Sequence, residues 1–407
     1  MTASALPRST IDSIMIRLTA AFIDQEDLRA VTEVLEGGYL VQGARVAAFE
    51  AQLASYVGCT HAVAMNSCTS ALHLSLLALG TGPGDVVIVA AYSFTATANV
   101  IELCGARPVF VDTDPDTFNM DPRGLSAALD ALRASGSIDR VKAILPVHAF
   151  GQMADITAIQ RLAAPQNIPV IEDAACALGA TFGGRPAGTI GTMGCFSFHP
   201  RKTVTTGEGG AVVTNDAKLA RTLRALRNHG LDPDAPRTDF ICPGFNNRMT
   251  EFQAALGQVQ LGRLDQATAA RRAAAARYDA LLRDGAVQTP VIGANADSVY
   301  QSYVVLLPED AAAGRDGIIK RMKELGVEAS IGTWNIPLTT FYSTKYGYRD
   351  SDFPVTSSTF GRSIALPMYQ AISAADQETV VAALRQALQE YGAAPRTTTS
   401  GSDLAVS

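Results

Sequence analysis

The stretch Phe196-Ser197-Phe198-His199-Pro200-Arg201-Lys202, followed at once by Thr205-Thr206-Gly207-Glu208-Gly209-Gly210-Ala211, sets one lysine between an apolar strand and a glycine-rich turn. A lysine attacks a carbonyl only as the free amine, so burial or nearby cations must bring its pKa down from about 10.4. Arg201 and His199 are the neighbours placed to do this. Taken alone, Lys202 also reads as an ordinary solvated lysine. The segments around it decide.

Upstream, Ile168-Pro169-Val170-Ile171-Glu172-Asp173-Ala174-Ala175-Cys176 is a short β-branched run ending in carboxylates and small residues. It reads as a buried parallel strand, and ligands of open α/β sheets bind beyond the carboxyl ends of such strands. Asp173 is therefore placed where a ligand is expected. A buried carboxylate needs a cationic or hydrogen-bonding partner, and a protonated pyridine nitrogen is one such partner; capping a helix is the ordinary alternative. Further upstream, His61 to Met65 reads as a strand, Asn66-Ser67-Cys68-Thr69-Ser70 as a polar turn, and Ala71 to Gly80 as a helix. The free amides of the helix start and the hydroxyls of Ser67 and Thr69 suit a phosphate dianion, while plain N-capping explains the same residues equally well.

Composition narrows the function classes. The chain has 407 residues, 47% apolar and 18% charged, enough to bury a large core and form two domains. A net charge of −6 with scattered basic residues indicates neither a nucleic-acid nor an anionic-membrane surface, so small molecules are the expected partners. The six cysteines are far apart in sequence and show no metal-ligand spacing, so they are expected as reduced thiols, with no metal site. No stretch reads as a signal peptide or a membrane span, which makes the cytoplasm the expected compartment.

Helical periodicity runs over Gln25 to Leu35 and Val46 to Tyr56, and strand-like runs over Val86 to Ala90, Pro108 to Val111 and Val141 to Val147 alternate with further helices. Strands over Gly194 to Phe198 and Ala211 to Thr214 bracket the lysine. The alternation predicts an α/β fold with a mostly parallel sheet covered by helices. Asp216 to Arg227 and a long alanine-rich Met249 to Leu282 read as helices. Val299 to Leu307, Gly317 to Leu325 and Ala374 to Tyr391 then build a smaller α+β unit. The predicted division is an N-terminal arm over 1–18, a large domain over 19–264, a small domain over 265–392 and a disordered tail over 393–407.

These residues resemble the DegT/DnrJ/StrS-type sugar aminotransferases, a family of fold-type-I pyridoxal-phosphate enzymes. The resemblance runs from Leu35 to Gly43 through Asn66 to Leu72, Gly82-Pro83-Gly84-Asp85, Tyr92 to Asn99, Pro146-Val147-His148, Phe150-Gly151-Gln152, Glu172-Asp173-Ala174-Ala175, the lysine segment and Arg227-Asn228-His229-Gly230, to Gly244 to Thr250. It implies a sheet of seven-stranded type and a coenzyme, pyridoxal 5′-phosphate, that passes through pyridoxamine 5′-phosphate. By this resemblance Lys202 forms the Schiff base, Asp173 pairs with the ring nitrogen, and Phe94 stacks on the ring. The Ser67, Cys68 and Thr69 segment and Ser197 hold the phosphate, and Asn246 reaches over from a second subunit. His199 lies beside the coenzyme as a candidate catalytic residue, or else is a histidine hydrogen-bonded in the core, and Cys176 also lies beside the coenzyme; relatives often carry glycine at position 68, and glutamine or histidine at 176.

The resemblance further implies a homodimer with shared active sites, an amino-acid donor (glutamate or glutamine) and a keto-sugar acceptor, which in this family is mostly nucleotide-linked. Many relatives have a histidine shortly after Pro337, where this chain has Thr339 and Thr340, so a keto-cyclitol acceptor stays open. Trp334, the single tryptophan, is placed either to stack on a substrate ring or to pack in the small-domain core. The dehydratase branch of the family replaces the lysine with histidine, which Lys202 argues against. A non-catalytic coenzyme-binding regulator lacks any accompanying DNA-binding helix pair, and a dinucleotide oxidoreductase lacks its glycine fingerprint.

Overall fold

Two helices, α1 (Gln25–Gly37) and α2 (Ala44–Val57), precede the first sheet strand in the computed structural model, which describes residues 15–391. Asp24 caps α1 by accepting from the Glu26 and Asp27 amides, and the Asp27 carboxylate accepts the Asp24 amide in return. Then follow β1 (His61–Met65), α3 (Cys68–Ala78), β2 (Val86–Ala90), α4 (Ala96–Leu103), β3 (Arg107–Val111), α5 (Pro122–Ala134), β4 (Val141–Leu145), α6 (Ile156–Ala163), β5 (Ile171–Asp173), β6 (Met193–Ser197), β7 (Gly210–Thr214) and α7 (Ala217–Arg227).

Strand β2 runs parallel to β3 on one side and β4 on the other. Strand β5 is parallel to β6, while β7 is antiparallel to both β6 and β1. Parallel bridges Ile144–Val170 and Val147–Asp173 join the two groups, so one sheet runs in the order 3-2-4-5-6-7-1 with β7 alone reversed. Strand β2, Val-Val-Ile-Val-Ala, is buried throughout, as a strand covered on both faces must be. Its residues alternate between two apolar clusters: Ile88 packs with Phe49, Ile144 and Phe196, whereas Val87 and Val89 pack with Met65, Leu72 and Cys195.

Beyond this sheet come α8 (Glu251–Gly262), α9 (Leu264–Leu281), β8 (Tyr303–Leu306), α10 (Arg315–Glu324), β9 (Ser330–Ile331), α11 (Thr340–Tyr346), α12 (Pro354–Arg362), β10 (Ser363–Leu366) and α13 (Ala374–Tyr391). Strand β10 lies between β8 and β9, and a third cluster built on Tyr278, Tyr303, Ile318, Leu366 and Leu384 fills the space against α9, α10 and α13. The start of the described chain pairs here too, with Ile16 bridged to Val327. Most of the arm over 1–18, and the whole tail over 393–407, lie outside the described residues.

The helix read from Met249 to Leu282 is two helices. The break is Arg263, whose ψ of 5° leaves the helical range. Its guanidinium forms ion pairs with Asp24 and Asp27, clamping the break to the capped start of α1. Several strands are also shorter than their apolar runs. β4 stops before Pro146, which has no amide to donate, and β5 covers only Ile171–Asp173.

Candidate active site

The carboxyl ends of β2, β5 and β6, together with the start of α3, converge on one region. In register, Asp173 faces Cys195 across the β5/β6 pair, Ser197 faces Gly210, and Gly210 faces Met65, from which the chain enters α3. Gly210 has no room for a side chain: a Cβ there would lie 2.4 Å from the Cys68 amide nitrogen. The sheet backbone thus presses directly against the helix start.

Lys202 sits in a turn closed by its own amide, which donates to the His199 carbonyl at 2.8 Å. Its ammonium Nζ donates to Cys176 Sγ at 3.0 Å. Burial works to weaken this lysine's basicity, but Cys176, Cys68 and Asp173 work the other way, and the net direction is above the ordinary lysine value. This corrects the expectation that Arg201 and His199 depress it. Arg201 is exposed and engages the loop through its carbonyl, which accepts from Gln301 Nε2 at 2.8 Å. The His199 side chain is 44% exposed and 3.9 Å from Glu208. Partial burial moves its pKa down, with Glu208 acting in the opposite sense.

Asp173 is buried, with the Thr97 hydroxyl donating to Oδ2 at 2.8 Å and the Ala175 amide donating to Oδ1 at 3.1 Å. Burial raises its pKa despite these donors and the positive field of Lys202. Among the described residues no cation contacts it. Glu172, one residue before, points to the opposite face and is fully served: the amides of Gly188, Ile190 and Gly191 and the ring of His148 all donate to it. Because His148 Nδ1 accepts the Ala154 amide, its proton resides on Nε2, 2.8 Å from Glu172. Burial alone would raise the Glu172 pKa, and these donors bring it below the ordinary value.

Cys68 is the first residue of α3, and the amides of Cys68 and Thr69 in that first turn have no intrahelical acceptor. Ser67 is the N-cap; its oxygen accepts the Ser70 amide at 3.1 Å, which is the ordinary capping role. Ser197 is buried at the end of β6. Phe94 follows the two-residue strand Tyr92–Ser93, which pairs with Trp334–Asn335, and its ring is 63% exposed. Trp334 is exposed, with one face stacked on Phe360. Asn246 is exposed on a segment bridged to Asn228, and no contact joins it to Lys202 or Asp173 within the chain.

The structure therefore brings together Lys202, Cys176, Cys68 and Asp173, sets Ser197 and Thr69 around the same sheet end, and leaves His199 at the margin and Asn246 apart. Sequence reasoning missed Thr97, which fixes Asp173. Its signal lay in the quoted run Tyr92 to Asn99, but only the fold shows which hydroxyl meets the acid. Pyridoxal phosphate fits these residues. A buried acid without a cation calls for a protonated ring nitrogen, open helix-start amides suit its phosphate, and a lysine is at hand for its aldehyde. No group of side chains suited to a metal ion occurs among the described residues.

The family model for DegT/DnrJ/EryC1/StrS aminotransferases matches residues 21–385. The chain is 38% identical over 376 residues to a GDP-perosamine synthase from Caulobacter vibrioides, covering 92% of this chain and 98% of that protein. A solved DegT/DnrJ/EryC1/StrS aminotransferase from Brucella abortus is 34% identical with a TM-score of 0.82, covering 89% of this chain and 95% of that one. The PLP-form of the putative sugar aminotransferase Spr1654 from Streptococcus pneumoniae superposes at a TM-score of 0.86 with 26% identity, covering 93% and 99%. The chain belongs to the DegT/DnrJ/EryC1/StrS aminotransferase family and is a fold-type-I enzyme whose coenzyme is pyridoxal 5′-phosphate.

Proposed function

We propose that this enzyme moves an amino group from an amino acid, glutamate or glutamine, to the ketone of a nucleotide-linked sugar in amino-sugar biosynthesis. The observation that carries the reading is Lys202, its Nζ on Cys176 Sγ, at the same sheet end as the buried Asp173, whose donors are neutral. The GDP-perosamine synthase supports a sugar acceptor.

When bound, pyridoxal phosphate supplies an aldehyde for amine exchange and a ring that accepts the electron pair left as a Cα proton departs. Lys202 Nζ is the group that takes this proton and returns it. Asp173 keeps the ring nitrogen protonated, its carboxylate oriented by Thr97 and the Ala175 amide. The first-turn amides of α3 and the Ser67, Thr69 and Ser197 hydroxyls would hold the phosphate, and Phe94 would cover the ring. Cys68 contributes its backbone amide, so its side chain is no obstacle. Cys176 and His199 flank the site.

We assign a homodimer in which Asn246 serves the partner's site. Exposed Leu35, Tyr39, Leu40 and Val41, with Phe240, Ile241 and Phe245, support such an interface. The domain division at 264/265 and a cytoplasmic location belong to the same reading. Six free cysteines and the lack, among the described residues, of a helix able to cross a membrane accord with it.

The test is a panel of nucleotide-linked keto-sugars and keto-cyclitols incubated with glutamate or glutamine, scored for amine product and for the keto acid. Sugar amine and keto acid should form together, and Lys202→Ala should abolish both. Deoxy-sugar without amine, or turnover on cyclitols alone, would replace the assignment.

A further inference from the structure

We propose that Cys176 and Lys202 form a thiol-reversible sulfenamide bridge when the protein meets a hydroperoxide, a modification site seated on the coenzyme-binding lysine itself. Three observations carry it. Lys202 Nζ already touches Cys176 Sγ at 3.0 Å, so the two nucleophiles need only close a contact they make. Both are held by short turns, the Ala177 amide to the Ala174 carbonyl at 2.9 Å and the Lys202 amide to the His199 carbonyl at 2.8 Å. Cys176 is only partly buried, whereas the neighbouring Cys68 and Cys195 are buried thiols that desolvation keeps protonated.

The chemistry balances in two steps. The Cys176 sulfur takes one peroxide oxygen, losing two electrons as the O–O bond breaks, and the other oxygen leaves as water or alcohol with the thiol proton. Once its ammonium has given one proton to solvent, Lys202 attacks the sulfenic sulfur; the S–N bond forms, the S–O bond breaks, and the hydroxyl leaves as water with a second proton from the nitrogen. Two equivalents of a small thiol restore both side chains and leave as a disulfide. A bridged lysine cannot engage the coenzyme, and an engaged lysine cannot reach the sulfur. That exclusion rests on the role given to Lys202 above; the bridge itself does not.

Full-length chain freed of coenzyme, and the same chain reconstituted with pyridoxal phosphate, are treated with hydrogen peroxide and read by intact mass and peptide mapping. The coenzyme-free chain should lose two hydrogens (about 2 Da), yield a Cys176–Lys202 linked peptide and recover with dithiothreitol. The reconstituted chain should form several-fold less of it. Cys68→Ala should retain the link and Cys176→Ala should lose it. Oxygen added to Cys176 with Lys202 unlinked, or a link from Cys176 to Cys68, overturns the proposal on the wild-type chain alone. Equal bridging in both preparations upholds the bridge and refutes the coenzyme role of Lys202.

Discussion

Glu172 and Asp173 are consecutive, both carboxylates, both buried, and their surroundings differ in kind. Glu172 receives three amides and an imidazole N–H, a full set of donors that makes it an anchor for the 188–191 loop. Asp173 receives two neutral donors and no cation. A protein that could saturate one buried acid has left its neighbour short. The alternation of a strand explains how one step along the chain moves from scaffold to reactive face. The under-compensated acid is the one available to a ligand.

That contrast is most sharply broken by Asp173→Asn. The half-reaction with the amino donor should slow by about 10²–10³-fold, since a preorganised charge partner is lost, while the coenzyme-free fold should be retained. Single-turnover absorbance of the coenzyme measures the first, and circular dichroism the second. A variant with unimpaired turnover would make Asp173 another Glu172.

Glu172→Gln should act oppositely, destabilising the fold by about 3 kcal/mol because three buried amides lose their anion, with activity falling only as the folded fraction falls. The thermal midpoint and the activity per folded molecule separate these effects.

The two acids also titrate with opposite sign. The folded-state pKa of Glu172 is lowered, so its stabilisation is present above the unfolded value near 4.5 and is lost as pH falls through the folded one. That of Asp173 is raised, so its burial cost is present above the folded value and is relieved as pH falls toward 3.8. Coenzyme-free Asp173→Asn should therefore unfold later than wild type at neutral pH, the gap closing with acid, while the deficit of Glu172→Gln shrinks over the acid range. Unfolding midpoints across pH check both.

The smallest effect is expected from Thr97→Val, which removes one hydrogen bond from Asp173. The half-reaction should slow about tenfold, with the overall fold unchanged. No change in rate would show that the Ala175 amide suffices to orient the acid.

Much of this was legible in the sequence where the physics is local. Lys202 and Asp173 stand at strand ends marked by apolar runs, and the α3 start is marked by its polar turn. What the sequence hid was long-range. The helix break at Arg263 depends on Asp24 and Asp27, more than two hundred residues away in the chain. The surroundings that act on Lys202, its burial first and then Cys176, Cys68 and Asp173, come from segments distant in the chain. The distinction between Glu172 and Asp173 required knowing where the amides of residues 188–191 lie.

The reversal of β7 has a mechanical consequence. Residues 198–209 leave the sheet from β6 and return beside it in β7, with the Phe198 amide bonded to the Gly209 carbonyl at 2.9 Å and the Thr206 amide to the Phe198 carbonyl at 2.9 Å. The lysine is thus carried on a hairpin whose two legs are both fixed in the rigid slab, as a tool is carried in a bench vise rather than on a lid. Whatever else shifts as substrates exchange, an amine with the role proposed for Lys202 has the same place to return to.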